Sequence, residues 1–286
     1  MSNKISPKRN LIESFRLRVF KARYYVQQAI AVARLKIGAR DPEDRLARDS
    51  QAFWNNSDRP EFHSESHWRE SGPFQSGSLW DDLGNYHHEL LQKAVDFEGA
   101  QALKTIVEWG CGGGLNAVRW AGQVERFYGV EVSAATLAEC ERQVEKAGHH
   151  SFRGVLIESQ NPHQVFEEIS EKCDALICTY VFEPIPSAEY GLALVEIARK
   201  LVRDNGVALI QIRYHTGWLD QAKPIKFARF GVAHTCTYRI DEFWVACLER
   251  GWIPQFVHLL PEQPSLNEQR YAYFALRADP DWTSTI

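Results

Sequence analysis

Residues 106–114 read Ile106-Val107-Glu108-Trp109-Gly110-Cys111-Gly112-Gly113-Gly114. Apolar residues followed by closely spaced glycines predict a β-strand, then a tight turn, then a helix. Glycine is required where the backbone turns sharply and approaches a ligand, because it carries no Cβ. The nicotinamide fingerprint G-x-G-x-x-G fails here, because Leu115 stands where its third glycine belongs. The stretch therefore predicts a ligand-binding turn of another type.

Strands and helices alternate downstream of this turn, which implies a mostly parallel sheet with right-handed crossovers. The last two strands leave no room for a helix between them, so we expect an antiparallel pair at that edge. We predict a doubly wound α/β fold: a mostly parallel seven-stranded sheet with an antiparallel last strand, plus an N-terminal helical or irregular cap. Strands are expected at 105–109, 127–130, 155–157, 175–180, 207–212, 252–259 and 271–276. An irregular segment is expected at 50–85 and a turn at 204–206. Helices are expected near 86–97 and at 116–123, 133–148, 165–170, 190–202 and 241–250.

Acidic or polar side chains follow the next two strands. Glu131 ends the second strand, 17 residues after Gly114. A carboxylate at that place can accept hydrogen bonds from both hydroxyls of a ribose, as in other doubly wound folds. Glu158 and Ser159 follow the third strand. These positions predict a nucleoside-binding edge beside the glycine turn.

An acidic residue followed by G-x-G-x-G resembles the first motif of class I S-adenosylmethionine-dependent methyltransferases. This cofactor brings a sulfonium and an ammonium, which an acid such as Glu108 can balance. The resemblance implies that Glu131 binds the ribose and that Glu158, or else Ser159, contacts the adenine amino group. It covers roughly residues 100–276. The implied cofactor residues are Glu108, Gly110, Cys111, Gly112, Gly114, Glu131, Val132, Glu158, Ser159 and Tyr180.

Residues 174–186 resemble the fourth motif of small-molecule methyltransferases, in which the strand end faces the transferred methyl group. Those enzymes often carry Leu-Glu-His here, whereas this chain has Phe182-Glu183-Pro184. The missing histidine puts a general base at this spot in doubt. The Asn/Asp-Pro-Pro-Tyr signature of amino-methylating nucleic-acid enzymes is also absent, which disfavours that class.

Methyl transfer from a sulfonium needs mainly an aligned nucleophile, and an alcohol also benefits from a base. The candidates by position are His215, Glu183 and Tyr214. His87 and His88 precede the glycine turn and are weaker candidates to close over the site. No pattern of metal ligands accompanies them, and the six cysteines form no C-x-x-C pair.

The N-terminal forty residues carry ten Lys or Arg and one Glu, while the whole chain has a net charge of -4. Apolar residues recur every three or four positions from 11 to 37, which predicts a basic amphipathic helix in 1–40. Three roles stay open for it: packing on the acidic body, mediating oligomerisation, or resting on an anionic membrane or nucleic acid. An aromatic-rich cap (41–98) and the cofactor-binding core (99–286, with an insert at 214–240) follow.

Composition and charge bound the remaining expectations. Neither a signal peptide nor a membrane-spanning run is recognisable, so we expect a cytoplasmic protein with reduced cysteines. The acidic body disfavours nucleic acid as a substrate. The insert carries Lys223, Lys226, Arg229, His234 and Tyr238, and its cations suit a polar, anionic or sugar-like acceptor. The oligomeric state is not predicted.

We therefore expect S-adenosyl-L-methionine as the cofactor and methylation of a small molecule. The expected acceptor is a hydroxyl, and the alternative acceptor is an amine. Two alternatives come from other classes. The first is a non-catalytic partner or sensor subunit that binds S-adenosylmethionine, because binding needs the same residues as catalysis. The second is a nicotinamide dehydrogenase, which Leu115 disfavours.

Overall fold

The computed structural model describes residues 41–75, 78–97, 99, 102–217, 227–229, 232–233, 235–260 and 270–283, together with Val26 and Ala33. The predicted helix in 1–40 therefore lies outside the described residues, apart from two isolated positions. Lys223, Lys226 and His234 of the insert also lie outside them.

One seven-stranded sheet forms the centre of the described chain, in the order β3-β2-β1-β4-β5-β9-β8. Strands β1 to β5 are parallel, and β9 runs antiparallel to both of its neighbours, β5 and β8. The predicted fold class is therefore confirmed. The strands are β1 Thr105–Trp109, β2 Arg126–Glu131, β3 Phe152–Leu156, β4 Cys173–Cys178, β5 Val202–Arg213, β8 Trp252–Leu260 and β9 Tyr271–Ala278, while the short β6 Ala228–Arg229 and β7 Val232–Ala233 form a separate pair.

Helices cover both faces of the sheet and also precede it. They are α1 Glu43–Trp54, α2 Phe62–Glu65, α3 Ser78–Phe97, α4 Leu115–Trp120, α5 Ala134–Lys146, α6 Val165–Glu168, α7 Ala188–Leu201 and α8 Ile240–Glu249, with short 3-10 helices at Gly72–Phe74 and Pro162–Gln164. Two serine hydroxyls cap the N-termini of helices. The Ser133 side chain accepts from the Thr136 backbone N–H at α5, and that of Ser187 accepts from Tyr190 at α7.

The central strands lie in the core because they are apolar on both sides. All five residues of β1 are buried, and those of β4 are buried except Asp174. Asp174 lies at the start of β4, where it accepts hydrogen bonds from the Lys104 and Thr105 backbone N–H groups and from Arg203. A strand covered by helices on both faces carries an apolar run rather than an alternating one.

Three element boundaries differ from the predicted ones. Helix α3 begins at Ser78, about eight residues before the position we expected, and the segment 50–85 includes helical turns as well as irregular chain. Strand β4 ends at Cys178, so Tyr180 lies beyond it with a positive φ of 59°. Strand β5 begins at Val202 and includes the predicted turn at 204–206 as a register shift against β4.

No helix among the described residues is both long and apolar enough to cross a membrane.

Candidate cofactor and acceptor site

A cleft opens at the carboxyl ends of β1, β2 and β4, beneath α1 and the segment 62–68. This edge of an open α/β sheet is where ligands bind in such folds. Six predicted cofactor residues line it: Gly110, Gly112, Glu131, Val132, Ser159 and Tyr180. The other lining residues are Ser50, Trp54, Glu65, Ser66, His67, Trp109, Val130, Ile157, Thr179, Val181, Pro184, Ile185, Pro186, Tyr190 and Leu194.

The glycine turn forms the floor of the cleft and is packed from above by the cap. Gly110 has φ 72°, and a Cβ there would lie 2.3 Å from Val181 Cγ2. A Cβ on Gly113 would lie 2.5 Å from the His67 carbonyl oxygen. The Gly113 N–H donates to the Ser66 carbonyl at 2.8 Å. The glycines therefore serve the contact with the cap as well as a bound ligand.

Glu131 has its carboxylate fixed at the end of β2. One oxygen accepts from the Gly112 N–H at 3.2 Å, and the other accepts from Val132 at 2.8 Å and Ser133 at 3.3 Å. Burial raises the pKa of Glu131, and these three N–H donors oppose that rise. Carboxylate oxygens accept more than one hydrogen bond each, so the group retains capacity for a ligand hydroxyl.

Glu108 lies behind the glycine turn and does not line the cleft. Its side chain is buried, and Oε1 accepts from Asn116 Nδ2 at 2.6 Å. Within the described part of the chain, Oε2 has no hydrogen-bond partner. Burial raises the pKa of Glu108 to about 8, a rise that Asn116 opposes and Glu131 adds to. A cation near this carboxyl would favour its ionised form.

Gln51 of α1 bridges the ends of β2 and β3. Its Nε2 donates to the Val132 carbonyl at 2.8 Å, and its Oε1 accepts from the Ser159 N–H at 2.6 Å. Glu158 is exposed and does not line the cleft. Between the two predicted candidates for the adenine contact, the structure therefore places Ser159 at the cleft and Glu158 outside it.

Two further residues of the predicted cofactor set lie beneath the turn. Cys111 is buried, and Gly114 is the N-cap of α4, with a left-handed φ of 91°. A Cβ on Gly114 would lie 3.1 Å from the Cys140 sulfur. Neither residue lines the cleft, so their part in the site is to shape the backbone.

Tyr180 lines the cleft just beyond the carboxyl end of β4. Its hydroxyl lies 3.3 Å from that of Tyr273, and its backbone N–H donates to the Gln211 side chain. The His67 ring packs edge-on against it, with ring centres 4.9 Å apart. Burial raises the pKa of Tyr180 to about 12, so its phenol is neutral at neutral pH.

The predicted base candidates do not line this cleft. Tyr214 and His215 line a separate hollow with Arg239 and Trp244, because β5 carries them past the strand end that faces the glycine turn. Glu183 is half-buried and hydrogen-bonds Tyr271, and burial raises its pKa. None of these three residues is therefore positioned in the cleft to act as a base.

His87 and His88 occupy different environments on α3. His87 is fully buried, with Nδ1 3.0 Å from Asn116 Oδ1 and Nε2 3.4 Å from the Tyr273 hydroxyl. Burial lowers the pKa of His87 to about 4. His88 lies at the surface against Trp120. Neither lines the cleft.

Sequence reasoning missed the residues that the cap adds to the cleft: Ser50, Trp54, Glu65, Ser66 and His67. The aromatic content of 41–98 indicated packing on a neighbouring unit but not which side chains would face a ligand. Among the described residues, no group of three or more His, Cys, Asp or Glu could hold a metal ion.

Comparison with known proteins agrees with this geometry. Residues 106–206 match the family described as "Methyltransferase domain". The chain is 27% identical over 141 residues to the ubiquinone biosynthesis O-methyltransferase of Pasteurella multocida (strain Pm70), a match covering 46% of this chain. That match spans 57% of the relative, so the chain covers little more than half of its length.

Two solved structures of magnesium protoporphyrin IX methyltransferase from Synechocystis PCC 6803 share the fold. The structure with bound SAH has a TM-score of 0.56 at 10% identity and covers 82% of this chain and 100% of that one. The structure with bound SAM has a TM-score of 0.56 at 11% identity and covers 82% and 97%. At such identities the likeness establishes the fold alone.

The sheet order, the antiparallel β9 and the glycine turn below the cleft define a Rossmann-like domain of the methyltransferase class. Residues 106–206 thus form a methyltransferase domain, and the fold around them is the one that the resemblance to class I S-adenosylmethionine-dependent methyltransferases predicts. S-adenosyl-L-methionine is the cofactor that this domain and fold support.

Proposed function

We propose that the chain transfers the methyl group of S-adenosylmethionine to a hydroxyl of a small organic molecule. The observation that carries this proposal is the cleft, which brings six of the ten predicted cofactor residues together with the aromatic side chains of Trp54 and Tyr190. The relative from Pasteurella, named an O-methyltransferase, supports oxygen as the methylated atom.

The groups around the glycine turn match the chemical groups of the cofactor. Glu131 offers carboxylate oxygens to the ribose hydroxyls, and the Ser159 backbone lies at the edge assigned to adenine. Glu108 contributes a buried carboxyl with a free oxygen close behind the turn, which suits the cationic end of the cofactor. Gly110 and Gly112 leave room for the ligand against the backbone.

The acceptor end favours a neutral, partly aromatic molecule. No Lys or Arg is among the described residues that line the cleft, whereas Trp54, Tyr180 and Tyr190 are. An anionic or sugar-like acceptor would draw on the cations of the insert, such as Lys223 and Lys226. Aromatic walls and the absence of a cation among the described lining residues therefore favour a phenol over a phosphate or carboxylate.

The bound cofactor supplies an electrophilic methyl group on a sulfonium. The protein holds the acceptor in line with that methyl group and excludes water, which accounts for most of the rate in such a reaction. In the described structure, Tyr180 lines the cleft and can orient the acceptor, while the buried Tyr273 holds the Tyr180 hydroxyl at 3.3 Å.

The test is transfer of tritium from methyl-labelled S-adenosylmethionine to simple probes. Catechol and phenol represent hydroxyl acceptors, and aniline and benzylamine represent amines. We expect labelled methyl ethers and no labelled amines. Labelled amines alone would make the chain an N-methyltransferase, and tight cofactor binding without transfer to any probe would favour a non-catalytic binding subunit.

A further inference from the structure

His67 is held by its backbone directly over the glycine turn. It lies between α2 and the 3-10 helix at Gly72–Phe74, with a positive φ of 55° that few non-glycine residues adopt. Its carbonyl accepts from Trp80 Nε1 at 2.9 Å. Its neighbour Ser66 accepts from the Gly113 N–H at 2.8 Å. Strained backbone of this kind persists where the surrounding structure fixes it, often at functional sites.

The ring of His67 faces the cleft with its nitrogens uncommitted. It makes edge-on contacts with Phe74 and Tyr180, at ring-centre distances of 5.4 Å and 4.9 Å. In the part of the chain that the structure describes, neither ring nitrogen makes a hydrogen bond. The same cleft is lined by Gly110 and Gly112 on the floor. The imidazole therefore lies between the cofactor turn and the acceptor end.

The other histidines near this region differ from His67 in their burial and contacts. His87 is fully buried, and both of its ring nitrogens have hydrogen-bond partners. His63 is exposed and stacks on Trp68, with ring centres 4.2 Å apart. Of the described histidines, His67 alone lines the cofactor cleft.

We propose that His67 contacts the acceptor hydroxyl and takes its proton during methyl transfer. This inference rests on the proposed function. The acceptor oxygen attacks the methyl carbon, a C–O bond forms, and the C–S bond breaks with its electron pair passing to sulfur. The sulfonium becomes the neutral thioether of S-adenosylhomocysteine. The hydroxyl proton passes to an imidazole nitrogen and then to water.

The surroundings keep the imidazole neutral and ready to accept. Burial lowers the pKa of His67 to about 4. The titratable groups near it are His87 and Tyr180 beside the ring, with Glu65 and Glu131 on the cleft wall. A weak base suffices, because the hydroxyl proton becomes strongly acidic only as the C–O bond forms.

The test compares His67→Asn with His63→Asn as a matched control. Asparagine is chosen because it tolerates a left-handed backbone better than other side chains. With catechol as the acceptor, we expect His67→Asn to lower kcat by about 100-fold. The KM for catechol and the affinity for S-adenosylhomocysteine should each stay within about threefold, and His63→Asn should resemble the wild type.

A second variant separates a chemical role from a structural one. His67→Gly accommodates the same φ and leaves space for a free imidazole. Added imidazole should restore part of the lost kcat in this variant and leave His63→Asn unchanged. Full kcat in His67→Asn, or a loss that imidazole does not rescue in His67→Gly, overturns the proposal.

A measurement without an acceptor tests the same ring. Diethyl pyrocarbonate modifies accessible neutral imidazoles, and mass spectrometry locates them. In the free wild-type protein we expect His67 and His63 to react and His87 to stay unmodified. An unreactive His67 overturns the proposal by itself. If the cofactor binds but no hydroxyl probe is methylated, the proposed acceptor class fails, and the role of His67 fails with it.

Discussion

At the scale of single residues, two carboxyl groups set the electrostatics of the cofactor end. Glu131 is solvated by three backbone N–H donors, whereas Glu108 has Asn116 as its donor and one free oxygen. Glu108 is buried and Glu131 is half-buried, and the charge of Glu131 disfavours ionisation of Glu108. A cationic ligand therefore changes the protonation of Glu108 more than that of Glu131.

The first prediction concerns protons released on binding. The pKa of Glu108 is raised to about 8, so the free protein holds this proton at pH 7. A cation nearby lowers that pKa, so binding of S-adenosylhomocysteine should release a fraction of a proton and tighten as the pH rises from 6 to 8. Calorimetric titration in buffers of different ionisation enthalpy measures the release. Glu108→Gln should release none and lose the pH dependence.

An equal proton release by Glu108→Gln would contradict this assignment. Gln123→Glu, an exposed change in the turn after α4, serves as the control for altered net charge.

At the scale of elements, the cap and the glycine turn form one unit. The turn residues 112 and 113 are covered by 66–68, and Gln51 ties α1 to the ends of β2 and β3. The positions of β1 and β2 follow from apolar runs and glycine spacing, so the sequence predicts them well. The structure of the cap cannot be predicted from apolar runs and glycine spacing. Helix α2 is only four residues long, and the conformation of His67 depends on contacts with the turn 46 residues away.

The second prediction tests this contact through Gly113. Its φ is not in the left-handed region, but an added Cβ would lie 2.5 Å from the His67 oxygen and 2.8 Å from the Trp68 Cα. Gly113→Ala should therefore displace the cap and weaken binding of S-adenosylhomocysteine by about tenfold or more, a loss of about 1.4 kcal/mol. Isothermal titration calorimetry measures it.

Gly148→Ala is the matched control, because Gly148 has a positive φ of 78° and open space around it. That variant should lose about 1 kcal/mol of stability and keep its cofactor affinity. Unchanged affinity in Gly113→Ala would show that the cap does not help to form the cleft.

At the scale of the whole molecule, a buried arginine joins helix α7 to the chain at the ends of β8 and β9. Arg199 of α7 donates to the Gly251 carbonyl at 3.0 Å, to Asp204 at 2.7 Å and to the Asp279 carbonyl at 2.6 Å. The sequence predicts α7 and β9 but not this link, since nothing in an amphipathic helix identifies which cation turns inward. The base candidates Tyr214 and His215 likewise follow from their position after a predicted strand, which does not show which cavity they face. In the fold they line another hollow.

The third prediction follows from the loss of this link. Arg199→Met should destabilise the protein by about 3 kcal/mol, because it leaves the Gly251, Val202 and Asp279 carbonyl groups without their donor. Urea unfolding followed by fluorescence measures the change. The neighbouring Lys200→Met should change stability by less than about 1 kcal/mol, because its ion pair with Glu196 is partly exposed. Equal effects of the two changes would contradict the assigned role.

The most direct test of the central claim is calorimetric titration of S-adenosylhomocysteine into the wild type, Glu131→Ala and Glu125→Ala. Glu125 is exposed just before β2, so its variant controls for the lost charge. We expect micromolar binding by the wild type and Glu125→Ala, and binding weakened at least about 30-fold, or about 2 kcal/mol, in Glu131→Ala. Equal binding by all three, or no binding by a folded wild type, would contradict the cofactor site described here.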